Sequence, residues 1–178
     1  IISNQNVCRQ FCRVADSHIG TQRKELFSMQ YTLYHHRAQY YETDQMGIVH
    51  HSNYIRWFEE ARVDLMEQIG FGYKKMEEHG IGSPVLSVSC RYRSMTHFFD
   101  DVIILPKVEI YTGVKLSLSY KVLDATTREL RAEGESSHCF LNREGRPVSL
   151  KKTLPHIHLL FSSVAGKELE GLELENSQ

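Results

Sequence analysis

Two hydrophobic periods meet in this chain, and their order limits what it can fold into. From Tyr54 the apolar residues Phe58, Ala61, Leu65 and Ile69 follow at helical spacing, the pattern of a helix that buries one stripe. Ser52-Asn53 offers an N-cap, and Gly70 and Gly72 supply a stop. The spacing predicts a helix of roughly 17–18 residues, longer than the usual mean. Tyr73 to His79 predicts a short helical turn before Gly80. Beyond Pro84 the period becomes two.

Leu86, Val88, Cys90 and Tyr92 alternate with Ser87, Ser89, Arg91 and Arg93. Val102, Ile104, Val108 and Ile110 are expected on one face of the next strand, with Pro106 marking an edge or a bulge. Leu116, Leu118, Tyr120 and Val122 alternate with Lys115, Ser117, Ser119 and Lys121, and Leu130 to Leu141 predicts another strand. One long helix and about five strands imply an α+β chain, a curved antiparallel sheet with the helix against one face. A single helix cannot cover that sheet, so some apolar strand surface is expected to meet a second subunit.

Charge narrows the functional classes. The chain has 21 Lys+Arg against 22 Asp+Glu, a formal net charge of −1. This argues against a nucleic-acid partner, which calls for a clustered basic excess. No apolar run approaches the roughly 18 residues of a membrane span. The 4 Cys are too few for a disulfide scaffold, and the N-terminus lacks the apolar core of a signal peptide. A cytoplasmic, single-domain protein is expected. Residues 1–29 show no sustained period, and two readings stay open for them: translated leader ahead of a natural start at Met29, or a mobile arm. The domain is expected over 30–155. Residues 156–178 are expected to add one short element, HIHLLFSSV, and an acidic tail, KELEGLELENSQ.

Chemistry concentrates in Tyr40-Tyr41-Glu42-Thr43-Asp44-Gln45-Met46-Gly47-Ile48-Val49-His50-His51-Ser52-Asn53-Tyr54, between the first strand and the long helix. A carboxylate, a Gly-containing turn, a His pair and a helix N-terminus lie close together there. First-turn amides lack intrahelical acceptors and carry the positive end of the dipole, so they suit an oxyanion developing on a carbonyl. Asp44 can attack such a carbonyl or take a proton from water, and His51 can position that water. On composition alone the blander roles stay open: Asp44 as a turn residue and His51 as a cap or surface residue.

Asp44-x-x-Gly47-Ile48-Val49, then the His pair, Asn53-Tyr54 and a helix carrying Arg56-Trp57-Phe58-Glu59, resembles the hot-dog-fold acyl-CoA thioesterases. It looks closest to the 4-hydroxybenzoyl-CoA thioesterase-like group, with its Tol–Pal-associated branch. The resemblance runs from Gln30 to Val148 and includes Asp100-Asp101 ahead of a strand. It implies about five strands wrapped around one long central helix and hydrolysis of an acyl-coenzyme A to free acid and CoA. No cofactor and no metal are implied. The implied partners are the acyl-CoA substrate and a second copy, in a dimer or tetramer with the active site at the dimer interface.

Carried over by position, Asp44 matches the catalytic carboxylate, as nucleophile or general base. His51 matches the assisting His, and its N–H the oxyanion donor. Tyr40 matches a Tyr lining the site, and Asn53 lies in the helix start that holds the substrate carbonyl. Glu59 matches an acidic, acyl-contacting helix position. Lys115 begins the strand where the family often sets a basic residue near the nucleotide; the plain alternative for it, as for Arg91 and Arg93, is a solvated strand face. Gln45-Met46 departs from the small or Pro-containing pair usual after the Asp, and the N-terminal arm is not a family feature.

Two other readings remain for such a chain. One is a hot-dog enoyl- or hydroxyacyl-thioester hydratase, whose shorter Asp/His motif is not found here. The other is a non-enzymic acyl-CoA or acyl-carrier-protein binder, with Asp44 only a turn residue. A zinc site is disfavoured: His35-His36 and His50-His51 would point to opposite faces of a strand, and His156-x-His158 lacks further ligand spacing. Cys8 and Cys12 fall in the N-terminal segment, while Cys90 and Cys139 are expected as buried small residues on strands. Trp57 and Phe58 are expected in the core or an interface.

Overall fold

A computed structural model describes residues 31–167. The readings of residues 1–29 and of the acidic stretch after Lys167 fall outside the described residues. The order of elements is β1 (Tyr34–Arg37), a 3-10 turn (Tyr40–Glu42), α1 (His51–Ile69), α2 (Tyr73–Glu78), β2 (Val85–Tyr92), β3 (Asp101–Tyr111), β4 (Lys115–Asp124), β5 (Leu130–Cys139), α3 (Leu150–Thr153) and α4 (Pro155–Val164). The strands form one sheet in the order β1-β3-β4-β5-β2, every neighbouring pair antiparallel. With α1 packed on it, this is the α+β arrangement expected. No helix among the described residues is long and apolar enough to cross a membrane.

The long helix begins one residue before the expected cap. His50 holds extended backbone, and its Nδ1 accepts from Ser52 N, so Ser52 and Asn53 already lie inside the first turn. Gly70 ends the helix at φ 93°, a left-handed conformation that costs a residue without Cβ little. Tyr54, Trp57, Phe58, Ala61, Leu65 and Ile69 form the buried stripe, and each such side chain removed from water stabilises the fold by about 1.5–3 kcal/mol. Phe58 stacks on Tyr120 of β4, with ring centroids 4.5 Å apart.

Two strand expectations are corrected. Ile110 is exposed at 61%, although Val102, Ile104 and Val108 are buried as expected. The register shifts between Val108 and Ile110, opposite Leu118 and Ser117, so Glu109 is an extra residue and the inward face changes phase. The bulge lies beyond Pro106, which pairs normally with Tyr120. In β2 the alternation does not mark a buried face: Val85, Leu86, Val88 and Tyr92 are all exposed, on a strand at the edge of the sheet. Cys90 and Cys139 are half-buried free thiols. At the other end of the domain, HIHLLFSSV lies in α4, which buries Ile157, Phe161 and Val164.

Candidate active site

Between the 3-10 turn and α1 the chain forms a tight loop around Asp44. Thr43 pairs with Val49 in an antiparallel bridge. Asp44 N donates to Ile48 O at 2.9 Å, and Gly47 N donates to Asp44 O at 3.0 Å. Gly47 takes φ 74°, which the turn requires and a side chain resists. The half-buried carboxylate uses Oδ1 to accept from Met46 N at 2.8 Å. Asp44 is therefore a turn residue through one oxygen, and the turn aims the rest of its carboxylate.

The same hydrogen bonds present the helix N-terminus. Val49 N donates to Thr96 O and His50 N to Glu42 O, each at 2.8 Å. The first turn of α1 contains no acidic residue, so the helix itself does not neutralise its positive end. None of the hydrogen bonds described in this loop uses the N–H of His51. The rings of His50 and His51 lie against each other, centroids 4.0 Å apart. The opposite-face expectation for this pair belongs to strands; at a helix cap the two rings fall side by side.

Two cavities meet at Asp44. One, of about 380 Å³, is lined by Asp44, His51, Tyr54, Tyr92, Met95 and Thr96. The other, of about 670 Å³, is lined by Tyr40, Asp44, His50, Asn53 and Arg56 among others. Tyr92 reaches across from β2, and its hydroxyl donates to His51 O at 3.0 Å. Burial, with help from Cys90, pushes its phenol up to about 12, which keeps it a donor. Tyr92 and Thr96 lie far from Asp44 in sequence, and Tyr92 carried only the signal of an apolar strand position.

The structure brings Asp44, His51, Tyr40 and Asn53 together. Tyr40 is exposed and meets Phe98 edge-on at 5.7 Å. Asn53 is buried, and its side-chain amide donates to Glu42 O at 2.7 Å, so it braces the loop while it lines the larger cavity. Glu59 is not at this site within one chain. It lies roughly 12 Å along α1 from His51, beside Arg62 at 3.8 Å, on a separate surface cavity with Glu60 and Asp64. Within one chain Lys115 also lies away from this site: it pairs with Cys139, whereas Tyr92 pairs with Ala132, roughly 23 Å away along β5. Arg93 lines the smaller cavity and is paired with Glu133. Among the described residues no group of three or more His, Cys, Asp or Glu side chains is arranged to hold a metal ion.

A thioesterase-like superfamily model matches residues 38–158. YneP of Bacillus subtilis, to which acyl-CoA thioesterase activity is provisionally ascribed, is 34% identical over 70% of this chain and 90% of its own length. The acyl-CoA thioester hydrolase YbgC of Escherichia coli is 20% identical over 66% of this chain and 88% of its own. Among solved structures, the DHNA-CoA thioesterase of Staphylococcus aureus is 31% identical, with a TM-score of 0.71 over 76% of this chain and 91% of that one.

Proposed function

Because the chain belongs to the thioesterase-like superfamily, we propose that it is an enzyme that hydrolyses acyl-coenzyme A thioesters, with Asp44 as nucleophile or general base. The observation that carries this reading is that Asp44 and an acid-free helix N-terminus face one cavity. The names of the relatives support the substrate class.

In this mechanism the thioester carbonyl lies over the first turn of α1, and the His51 N–H receives its oxygen as negative charge develops there. The Met46 amide orients Asp44 through Oδ1. The other oxygen attacks the carbonyl carbon, or takes a proton from a water that attacks it. The C–S bond then breaks, coenzyme A leaves as the thiolate and is protonated, and the acyl group departs as the acid. On the nucleophilic route water cleaves the acyl–Asp44 anhydride in a second step. The His51 side chain holds the attacking water or carries its proton.

A second copy completes the site in this reading. Among the described residues β2 offers an unpaired edge and exposed Val85, Leu86, Val88 and Tyr92, and Tyr92 also lines the smaller cavity. Edge pairing through β2 would bury this surface and bring partner residues to the cavity, in a dimer or a pair of dimers. Glu59 would meet the acyl group from such a partner.

The test is thiol release from short, long and aromatic acyl-CoAs, followed with a thiol-reactive dye, for wild type and Asp44→Asn. The expected result is turnover by wild type and a loss of about 10²–10⁴-fold in the variant. Equal turnover by both proteins overturns the role of Asp44, and no release from any thioester overturns the activity.

A further inference from the structure

Glu42 is a carboxylate only 4% exposed, two residues before Asp44. Its Oε1 accepts from Trp57 Nε1 at 2.8 Å. Its Oε2 accepts from Gln39 N at 2.7 Å and lies 2.9 Å from His36 Nε2. Its backbone carbonyl accepts from His50 N at 2.8 Å and from the Asn53 side chain at 2.7 Å. One residue thus joins β1 through His36, the 3-10 turn through Gln39, the cap of α1 through His50, and the first two turns of α1 through Asn53 and Trp57.

Resting on the reading of Asp44 above, we infer that Glu42 is a positioning residue for the hydrolysis, the point that sets the Asp44 loop and the oxyanion helix in one geometry. Stability alone is a poor account of such a group. A buried charge is costly to desolvate, and well-packed apolar residues commonly serve a core as well or better. Burial works against ionisation here, yet the hydrogen bonds from Gln39, His36 and Trp57 hold the Glu42 carboxyl below the usual carboxylate range. What the ionised group supplies is direction: two acceptor oxygens facing three elements at set angles.

Geometry links these ties to catalysis. The Trp57 bond resists rotation of α1 about its axis, and that rotation decides where the His51 N–H points. The carbonyl bonds fix how far the cap stands from Thr43, and Thr43 is bridged to Val49 across the Asp44 turn. Asp44 therefore cannot shift relative to the helix end without breaking a Glu42 bond. A displacement of about 1 Å between attacking group and oxyanion donor costs on the order of 10²-fold in rate.

Glu42→Gln tests this directly. A neutral amide offers one acceptor oxygen and an NH₂ group, so it cannot accept from both Trp57 and Gln39. The expected result is a folded protein with kcat lowered about 10²-fold and KM nearly unchanged, since contacts to substrate remain. Trp57 is the only Trp in the chain, so its emission reports independently whether the bond has been altered. Changed Trp57 emission with wild-type kcat overturns the inference. So does a fall in activity that matches the unfolded fraction, because that is a purely structural role.

If Glu42→Gln does not fold, Trp57→Phe deletes one tie and keeps an apolar ring. A kcat about tenfold lower at unchanged KM supports the inference, and wild-type kcat overturns it. The two readings fail separately: Asp44→Asn with full turnover removes the role of Asp44, whereas the Glu42 inference fails when Glu42→Gln keeps it.

Discussion

Phe58 of α1 closes over Gly134 of β5 so tightly that a Cβ at position 134 would stand 2.3 Å from the ring carbon Cε2 and 2.6 Å from Ser89 O. Gly134 pairs with Cys90 on one side and Tyr120 on the other, near the middle of the sheet. The distance between the helix and the sheet is thus set where no side chain intervenes.

Gly134→Ala is accordingly expected to destabilise the fold by about 1–3 kcal/mol, because ring and backbone must both shift. Urea unfolding followed by Trp57 fluorescence measures it. An unchanged midpoint and slope would show that the helix and sheet separate without cost.

The β4–β5 turn depends on Asp124. Its Oδ1 accepts from Thr127 N at 2.7 Å and Thr126 N at 2.9 Å, and Oδ2 accepts from Arg131 at 2.8 Å. The Thr127 amide first, then Arg131, hold its carboxyl down to about 2, from 3.8. A folded pKa below the unfolded one means stabilisation that is full above about pH 4 and lost as pH falls through about 2. Asp124→Asn is expected to cost on the order of 2 kcal/mol at pH 7. The gap between wild type and variant in denaturant midpoints should close near pH 2; a gap independent of pH would contradict the charge argument.

His138 must also stay deprotonated in the fold, but as a neutral ring and at higher pH. It is 1% exposed, its Nε2 lies 2.7 Å from Ser136 Oγ, and Tyr120 Oη lies 2.7 Å from that same oxygen. Burial first, and then the buried Arg62 guanidinium, depress its pKa from 6.5 to about 4. Between those values the unfolded chain binds more protons, so stability falls as pH drops from about 6.5 to about 4, by on the order of 3 kcal/mol at most. Wild type should lose more stability than His138→Gln between pH 7.5 and 4.5. Equal losses would remove His138 from the acid response.

The exposed edge of β2 makes a prediction about mass. Val88 is 39% exposed on a strand whose other edge is already paired with β5. If this edge pairs with a second copy, Val88→Asp buries an unpaired charge in the interface and should lower the sedimenting mass from a multiple of 20.7 kDa to the monomer. A wild-type monomer, or an unchanged oligomer in the variant, would exclude this edge as the contact.

Some of the architecture was legible from local pattern. The α1 stripe, its stop at Gly70 and the alternation in β4 depend on residues two to four apart, and they fold as that spacing implies. The loop around Asp44 was legible for the same reason, since its turn closes within five residues. Ile110 was not, because one extra residue at Glu109 reverses its face and periodicity cannot count a bulge in advance. The helix cap was misplaced by two residues or more because His50 took the capping role expected of Ser52 or Asn53.

By itself the sequence determined the long helix and the strands that follow it, which face of that helix is apolar, and that Asp44 precedes a helix N-terminus. Tertiary structure alone decided what surrounds that aspartate. Tyr92 and Thr96 reach it, Lys115 is left at the far end of the sheet, and Glu42 becomes the shared acceptor beneath the loop. The reason is physical. Local spacing constrains neighbours within a turn or a pleat, whereas these placements depend on strand register, sheet order and the distance between α1 and the sheet, which only the assembled fold sets.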